Sequence, residues 1–216
     1  MLQDSYRHKG LRKKLVDSLR DKGISDDKVL QALERVPRHL FLDSSFLEFA
    51  YQDKAFPIGS GQTISQPYTV AFQTQLLDVV PGEKILEIGT GSGYQSCVLI
   101  ELGAKVYTIE RQKKLFEKTR VLLPSIGYNP KMFYGDGYKG LPPFAPFDKM
   151  IITAAAPEIP AELINQLKTG GILIIPMGPK DIQTMFTIEK IGDTEIKKTE
   201  HSQFRFVPML GNKAKD

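Results

Sequence analysis

An α/β fold with a mostly parallel sheet is what this sequence predicts, and three observations carry that expectation. Short apolar stretches recur from Lys84 onward, helix-length segments separate most of them, and the first runs through Glu87 into alternating glycines. Alternation of strand and helix patterns implies parallel strands covered on both faces. At 216 residues and 41% hydrophobic content, the chain can bury one good core, so a single domain with an appendage is expected.

The first elements are helical. Leu11, Leu15, Val16 and Leu19 recur at helical spacing, and Gly23 ends that run. Ser25, Asp26 and Asp27 suit the start of a second helix carrying Val29, Leu30, Leu33 and Val36, which Pro37 stops. An irregular, aromatic-rich stretch follows from Phe41 to Pro57, then the segment Gly59–Pro67. Val70 to Val80 reads as an amphipathic helix closed by Pro81-Gly82.

Strands are expected at Lys84–Ile88, Lys105–Ile109, Lys131–Tyr134, Lys149–Thr153 and Ile172–Pro176. Helices fall between most of them, at about Gln95–Leu102, Gln112–Ile126 and Ala161–Leu167. The end of the chain differs. Thr184–Ile191, Glu195–Thr199 and Phe204–Pro208 read as strands joined by short polar turns, an antiparallel edge.

Composition narrows the function classes. A net charge of +4 is weakly basic, and the cations are spread out apart from Arg7–Lys14 and a Lys-rich tail. A nucleic-acid footprint needs clustered cations, so no nucleic-acid partner is expected. The single cysteine, Cys97, excludes an intrachain disulfide and a cysteine-based metal cluster. No apolar run has signal-peptide or transmembrane character, so a soluble, cytoplasmic protein without a membrane partner is expected. A monomer is expected too, since no long apolar surface stripe stands out.

Gly89, Gly91 and Gly93 make a tight turn that a ligand can touch, because glycine accepts angles and contacts that a Cβ forbids. A dinucleotide fingerprint needs G-x-G-x-x-G, but the third position is Tyr94 counted from Gly89 and Ser96 counted from Gly91. No Lys or Arg lies between Ile85 and Ala104, and Glu87 beside the turn would repel a pyrophosphate while suiting a cation or hydroxyl donors. A nucleoside without phosphates is therefore expected, and S-adenosylmethionine, with its sulfonium and ammonium, fits best.

Ligands of open parallel sheets bind beyond the carboxyl ends of the strands, near the topological switch point. The second strand ends at Glu110, 23 positions after Glu87, about where an acidic residue should meet a ribose. Its two oxygens can accept from two ribose hydroxyls, each bond contributing roughly 1.5–3 kcal/mol. The third runs into Gly135-Asp136-Gly137, whose Asp can accept from the adenine amino group. The fourth ends at Thr153-Ala154-Ala155-Ala156-Pro157, small side chains that leave space for a substrate.

Bland readings stand beside these. Alone, Glu110 is more often a solvated strand terminus and Asp136 a turn-former; it is their joint spacing with Glu87 and the glycines that favours a cofactor site. Cys97 falls where the following helix packs, so it reads as a small buried hydrophobe. His8, His39 and His201 lack metal-ligand spacing, no metal is expected, and none of the three is favoured as a general base. That lack of bases is itself informative. Methyl transfer from a sulfonium needs alignment and a lone pair, and a carboxylate acceptor is already ionised at neutral pH. A site without an obvious base suits carboxyl methylation.

These residues resemble a known family. Glu87–Gly93 resembles the first motif of class I S-adenosylmethionine-dependent methyltransferases, a signature that names only the superfamily. Gly61-Gln62-Thr63-Ile64-Ser65-Gln66-Pro67 is similar to the distinctive loop of protein-L-isoaspartate (D-aspartate) O-methyltransferases. So are Ile152–Pro157, Thr169-Gly170-Gly171 through Pro176-Met177-Gly178, and Arg205-Phe206-Val207-Pro208. The likeness runs from Arg35-Val36-Pro37-Arg38 to Pro208; departures are a short polar tail beyond Leu210 and Thr153 before the alanines.

The resemblance implies a Rossmann-like doubly wound, mostly parallel seven-stranded sheet with an N-terminal helical extension and an antiparallel C-terminal edge. It implies one domain: 1–67 covering the site, 68–180 as the cofactor-binding core, 181–216 as C-terminal strands and tail. The implied reaction is transfer of a methyl group from S-adenosylmethionine to the free carboxylate of L-isoaspartyl (or D-aspartyl) residues in damaged proteins. S-adenosylhomocysteine is the product, and the ester collapses to a succinimide. Carried over, Ser65 is the active-site serine. Thr63, Ile64, Glu87, Gly89, Thr90, Gly91, Gly93, Glu110, Asp136 and Gly137 would hold cofactor. Ala155, Ala156, Val207 and Pro208 would line the peptide groove.

Ser65 also has a competing role, as a helix N-cap ahead of Pro67 in the first turn; one hydroxyl can serve both. No His and Asp pattern makes it a triad nucleophile. Rival functions fit less well. An amino-directed nucleic-acid methyltransferase needs Asn or Asp before Pro-Pro-aromatic at the fourth strand's end, whereas Leu141-Pro142-Pro143-Phe144 precedes that strand. A carbon-directed one needs Pro-Cys, and Cys97 follows Ser96. An NAD-dependent oxidoreductase fails on glycine spacing, and a non-catalytic sensor leaves the Thr-Ile-Ser-Gln-Pro loop unexplained. A methyltransferase acting on another carboxylate or a small-molecule acceptor is the alternative.

Overall fold

Two capped helices begin the chain. A computed structural model describes residues 4–179, 181–193 and 195–214. Helix α1 (Tyr6–Asp21) starts ahead of the Leu11 run because Ser5 caps it: Ser5 Oγ accepts from the His8 amide, and the His8 side chain accepts from the Ser5 amide. Helix α2 (Asp27–Arg35) is capped by Asp26, whose side chain accepts from the Lys28 and Val29 amides.

Where the irregular stretch ends at Pro57 and runs into the Gly59–Pro67 segment, the chain forms an antiparallel hairpin, β1 (Phe56–Gly59) and β2 (Gln62–Ile64). Helix α3 (Pro67–Leu77) begins earlier than expected and stops at Asp78, which takes a left-handed C-cap with φ 49°. Aspartate tolerates that region better than most residues. Its expected amphipathic character does not hold. Thr69, Gln73 and Thr74 are buried with Val70, Ala71 and Leu77. Gln73 Nε2 donates to the Ile152 carbonyl at 2.9 Å and Thr74 Oγ1 to the Val70 carbonyl at 2.7 Å, while Gln73 Oε1 has no hydrogen-bond partner among the described residues.

The sheet comprises β3 (Lys84–Ile88), β4 (Lys105–Glu110), β5 (Lys131–Tyr134), β6 (Phe147–Ile152), β7 (Leu167–Met177), β8 (Gln183–Lys190) and β9 (Ile196–Phe204). Helices α4 (Tyr94–Glu101), α5 (Lys113–Ser125) and α6 (Ala161–Asn165) lie between. Strand order is β5-β4-β3-β6-β7-β8-β9; the first five are parallel, and β8 and β9 add antiparallel. The expected strand Phe204–Pro208 does not form. β9 ends at Phe204, and beyond it Pro208 makes one isolated bridge, to Ala155.

Both faces of the sheet are dry at its central strands. Ile85 and Ile151 point into a core shared with α1–α5, while Leu86, Met150 and Ile152 point into a second core that takes in Leu163 and Ile164 of α6. This period-two sorting is what two covered faces require. Cys97 is wholly buried as a small core residue, and burial pushes its thiol above the ordinary range. No helix of the described residues is long and apolar enough to cross a membrane. Strand order reverses between β3 and β6, so the crevice for a ligand opens beyond their carboxyl ends.

Candidate active site

That crevice is a cleft of about 820 Å³ floored by Ile88, Gly89, Thr90 and Gly91 after β3, with Ile109 and Glu110 of β4 at one side. Gly137 and Thr153 come from the ends of β5 and β6. Thr63, Ile64 and Ser65 of the hairpin side, with Val207 and Pro208 near the C-terminus, close it over. A second cavity of about 1030 Å³ adjoins it, bounded by Tyr68, Ile182, Gln203, Phe204, Arg205 and Phe206. Thr63, Ser65, Thr153 and Val207 line both, so the two spaces meet at those side chains.

The glycine turn is held by hydrogen bonds on each side. Glu110 Oε2 accepts from the Gly91 amide at 2.8 Å and Oε1 from the Gln112 amide at 2.7 Å. Thr119 Oγ1 donates to the Gly91 carbonyl at 2.7 Å. Gly89, at φ 98°, has no room for a side chain: a Cβ there would lie 2.5 Å from Thr153 Oγ1, which itself donates to the Gly89 carbonyl at 2.7 Å. Burial raises the Glu110 carboxyl from its ordinary value, while the two amides hold it down.

Other expected residues sit behind the wall. Glu87 is fully buried and lines neither cavity; Oε2 accepts from Ser96 Oγ, and Oε1 has no hydrogen-bond partner among the described residues. Burial pushes its carboxyl up to about 7. Gly93 is the N-cap position of α4, packed against Thr119 and Leu123 rather than the cleft. Asp136 also stands off the wall. Its Oδ1 accepts from the Tyr138 amide at 3.0 Å and its Oδ2 from the Asn212 amide at 2.7 Å, so turn and tail already use this carboxylate.

Ala155 and Ala156 line neither cavity, because bridges to Pro208 and Met177 fix them; the alanine on the cleft wall is Ala154. Ser65 is not the cap of α3. That position is Gln66, and among the described residues the Ser65 hydroxyl makes no hydrogen bond. Asp53 supplies the capping contact instead, accepting from the Tyr68 amide at 2.8 Å.

The structure adds residues that spacing did not mark. Gln62, Ser92, Arg111, Met209 and Leu210 line the cleft, and the Arg111 guanidinium donates Nε to the Asn212 carbonyl at 3.1 Å. Arg205 is the charged side chain on the wall of the second cavity among the described residues; its place in the Arg-Phe-Val-Pro segment was the signal available. The histidines, remote in sequence, partly converge. Asp4, His8 and His39 each place a ligand atom within 4.8 Å of the others, but Arg12 donates to both Asp4 oxygens at 3.0 Å, so the cluster is already charge-paired.

The cleft fits a cationic nucleoside. Its acidic group is Glu110, a second carboxylate lies buried below, and the Gly89 cradle admits backbone contact where a Cβ would intrude.

Comparison with known proteins agrees. The sequence profile of the family described as protein-L-isoaspartate(D-aspartate) O-methyltransferase matches residues 10–214. A protein-L-isoaspartate O-methyltransferase of Cytophaga hutchinsonii is 59% identical over 97% of this chain and 95% of its own. One of Christiangramia forsetii is 57% identical over 98% of this chain and all of its own. A solved protein-L-isoaspartate O-methyltransferase superposes with a TM-score of 0.85 at 30% identity, covering 94% of this chain and 67% of that one. A Plasmodium falciparum protein described by the same activity, in complex with S-adenosyl-L-homocysteine, gives 0.80 at 27% identity, covering 93% and 99%.

Proposed function

The chain belongs to the protein-L-isoaspartate(D-aspartate) O-methyltransferase family, and on that premise we propose how its two cavities divide the reaction. The protein methylates the free carboxylate of isoaspartyl residues in damaged proteins, using S-adenosylmethionine, and so starts their repair. When bound, that cofactor supplies a methyl group on a positively charged sulfur, ready for displacement by a carboxylate oxygen.

The single observation that carries the division of labour is the shared wall of Thr63, Ser65, Thr153 and Val207. The cleft beyond β3 and β6 takes the cofactor, with Glu110 toward the ribose and the backbone of Gly89, Thr90 and Gly91 against the nucleoside. Glu87 supports the floor from below through its bond with Ser96 rather than by contact. Gly93 and Asp136 act by fixing the loops that the cofactor touches.

The second cavity takes the peptide. Arg205 draws the anionic acceptor inward, and Val207 and Pro208 wall its inner end. The Ser65 hydroxyl, without a hydrogen bond among the described residues, donates to the acceptor carboxylate and orients it. No base is needed, because the acceptor is already ionised. Ala155 and Ala156 support this groove through their bridges to Pro208 and Met177.

We read the active form as a monomer, since the exposed apolar side chains Tyr6, Val80 and Val121 stand on separate segments of the chain, and we place it in the cytoplasm. Incubation with methyl-labelled cofactor tests the acceptor assignment. Label should enter an isoaspartyl peptide and not its aspartyl isomer. Equal labelling of both isomers would overturn it, and a Ser65→Ala variant with unchanged turnover and peptide affinity would remove the serine from its role.

A further inference from the structure

Helix α3 begins immediately after the loop that carries Ser65, and its first amide donors need partners. A serine two residues before such a helix would ordinarily be drawn into capping. Here the partner comes from a different segment. Asp53 reaches across, its Oδ1 accepting from the Tyr68 amide at 2.8 Å and its Oδ2 from Gln66 Nε2 at 3.0 Å. Lys22, the C-cap of α1, donates to the same Oδ2 at 2.6 Å.

The Asp53 side chain is only 9% exposed, so these bonds are little weakened by water. Its segment is itself pinned: the fully buried Arg38 guanidinium donates from Nη2 to the Lys54 carbonyl at 3.0 Å. One carboxylate therefore clamps the residues on the far side of Ser65, backbone at Tyr68 and side chain at Gln66, while the serine hydroxyl makes no hydrogen bond among the described residues. That hydroxyl is left pointing its capacity at the space where the two cavities meet.

We infer that Asp53 is a positioning residue for the methyl acceptor: it caps α3 in place of Ser65 and thereby holds the Ser65 hydroxyl available to the substrate carboxylate. The inference rests on the orienting role of Ser65 given above. Loss of the clamp lets the serine turn back to the vacated amides, which costs acceptor alignment while leaving the cofactor floor of Gly89 to Gly91 untouched.

A double-mutant cycle tests this on the full chain, with an isoaspartyl hexapeptide as acceptor and S-adenosylhomocysteine as the binding probe. Asp53→Ala should lower kcat/KM at least tenfold, about 1.4 kcal/mol, and leave the S-adenosylhomocysteine dissociation constant within twofold. Asp53→Asn keeps an acceptor for the Tyr68 amide and should recover most of the rate, which also guards against a misfolded alanine variant. In a Ser65→Ala background, Asp53→Ala should cost less than threefold. Losses that multiply independently would overturn the role of Asp53 while leaving that of Ser65 standing, as would a matching loss of S-adenosylhomocysteine affinity. A Ser65→Ala variant as active as the parent would instead sink the serine reading, and the inference with it.

Discussion

The Glu110 carboxylate accepts the Gly91 amide at 2.8 Å, which joins the end of β4 to the turn after β3. Its other oxygen takes the Gln112 amide at the start of α5. Glu110 thus shapes the floor of the cleft as well as facing it, and each oxygen retains a lone pair for a ribose hydroxyl. Glu110→Ala should raise the S-adenosylhomocysteine dissociation constant at least tenfold, about 1.4 kcal/mol. Glu110→Gln, which can still accept one amide, should cost less. Titration calorimetry checks both, and an unchanged constant for the alanine variant would take Glu110 out of the binding site.

Gly93 offers a test of the scaffold alone. It sits at φ 85° where α4 begins, and a Cβ would come within 2.9 Å of Thr119 Cγ2 and 2.8 Å of both Leu123 methyls. Left-handed strain contributes roughly 1–2 kcal/mol and forced overpacking roughly 1–3 kcal/mol more. Gly93→Ala should therefore lose about 2–5 kcal/mol in urea unfolding. A loss confined to the lower figure would mean that α5 moves aside readily.

Glu87 makes the stability depend on pH. Its carboxyl is raised by burial from 4.5 to about 7 in the folded chain, while the unfolded chain keeps the ordinary value. Between those values folded Glu87 holds its proton more than the unfolded chain does, so its contribution to stability is fully present below about pH 4.5 and is lost as pH rises through about 7. The span corresponds to at most about 3 kcal/mol. Glu87→Gln has no proton to lose, so its stability relative to the parent should improve from pH 5 to pH 8. An identical difference at the two pH values would show that Glu87 does not titrate in this window.

How much was readable beforehand follows from what each element depends on. The strands Lys84–Ile88 and Lys131–Tyr134 appear with the expected bounds, because each is a short apolar run cut off by turn residues, the first buried and the second half-buried at the sheet's edge. The hairpin Phe56–Gly59 and Gln62–Ile64 was missed: its strands are of four and three residues, around a Gly59-Ser60-Gly61 turn that reads as loop. The strand-tip residues Gly89, Glu110 and Gly137 line the cleft, since the switch-point rule depends only on order. Glu87, Asp136 and the alanines at 155 and 156 were placed one layer too far forward. Their burial and bonding are set by Ser96, Asn212, Pro208 and Met177, contacts that no local pattern announces. Asp53 escaped notice for the same reason, standing 15 positions from the amide it caps.

Arg205 makes a final prediction about the second cavity. Its side chain is exposed, it lies on the cavity wall, and the acceptor it would attract carries a negative charge. An exposed cation acts through water, where attraction is screened over roughly 8 Å at physiological salt. Such a residue changes encounter and affinity more than the chemical step. Arg205→Ala should therefore raise KM for an isoaspartyl peptide roughly two- to fivefold at low salt, with kcat unchanged and the effect fading near 0.5 M salt. Arg205→Lys, which keeps the charge, should stay near the parent. If kcat falls, or if the KM effect survives high salt and lysine fails to restore it, then the guanidinium grips the peptide directly, and its planar donors rather than its charge are what the substrate reads.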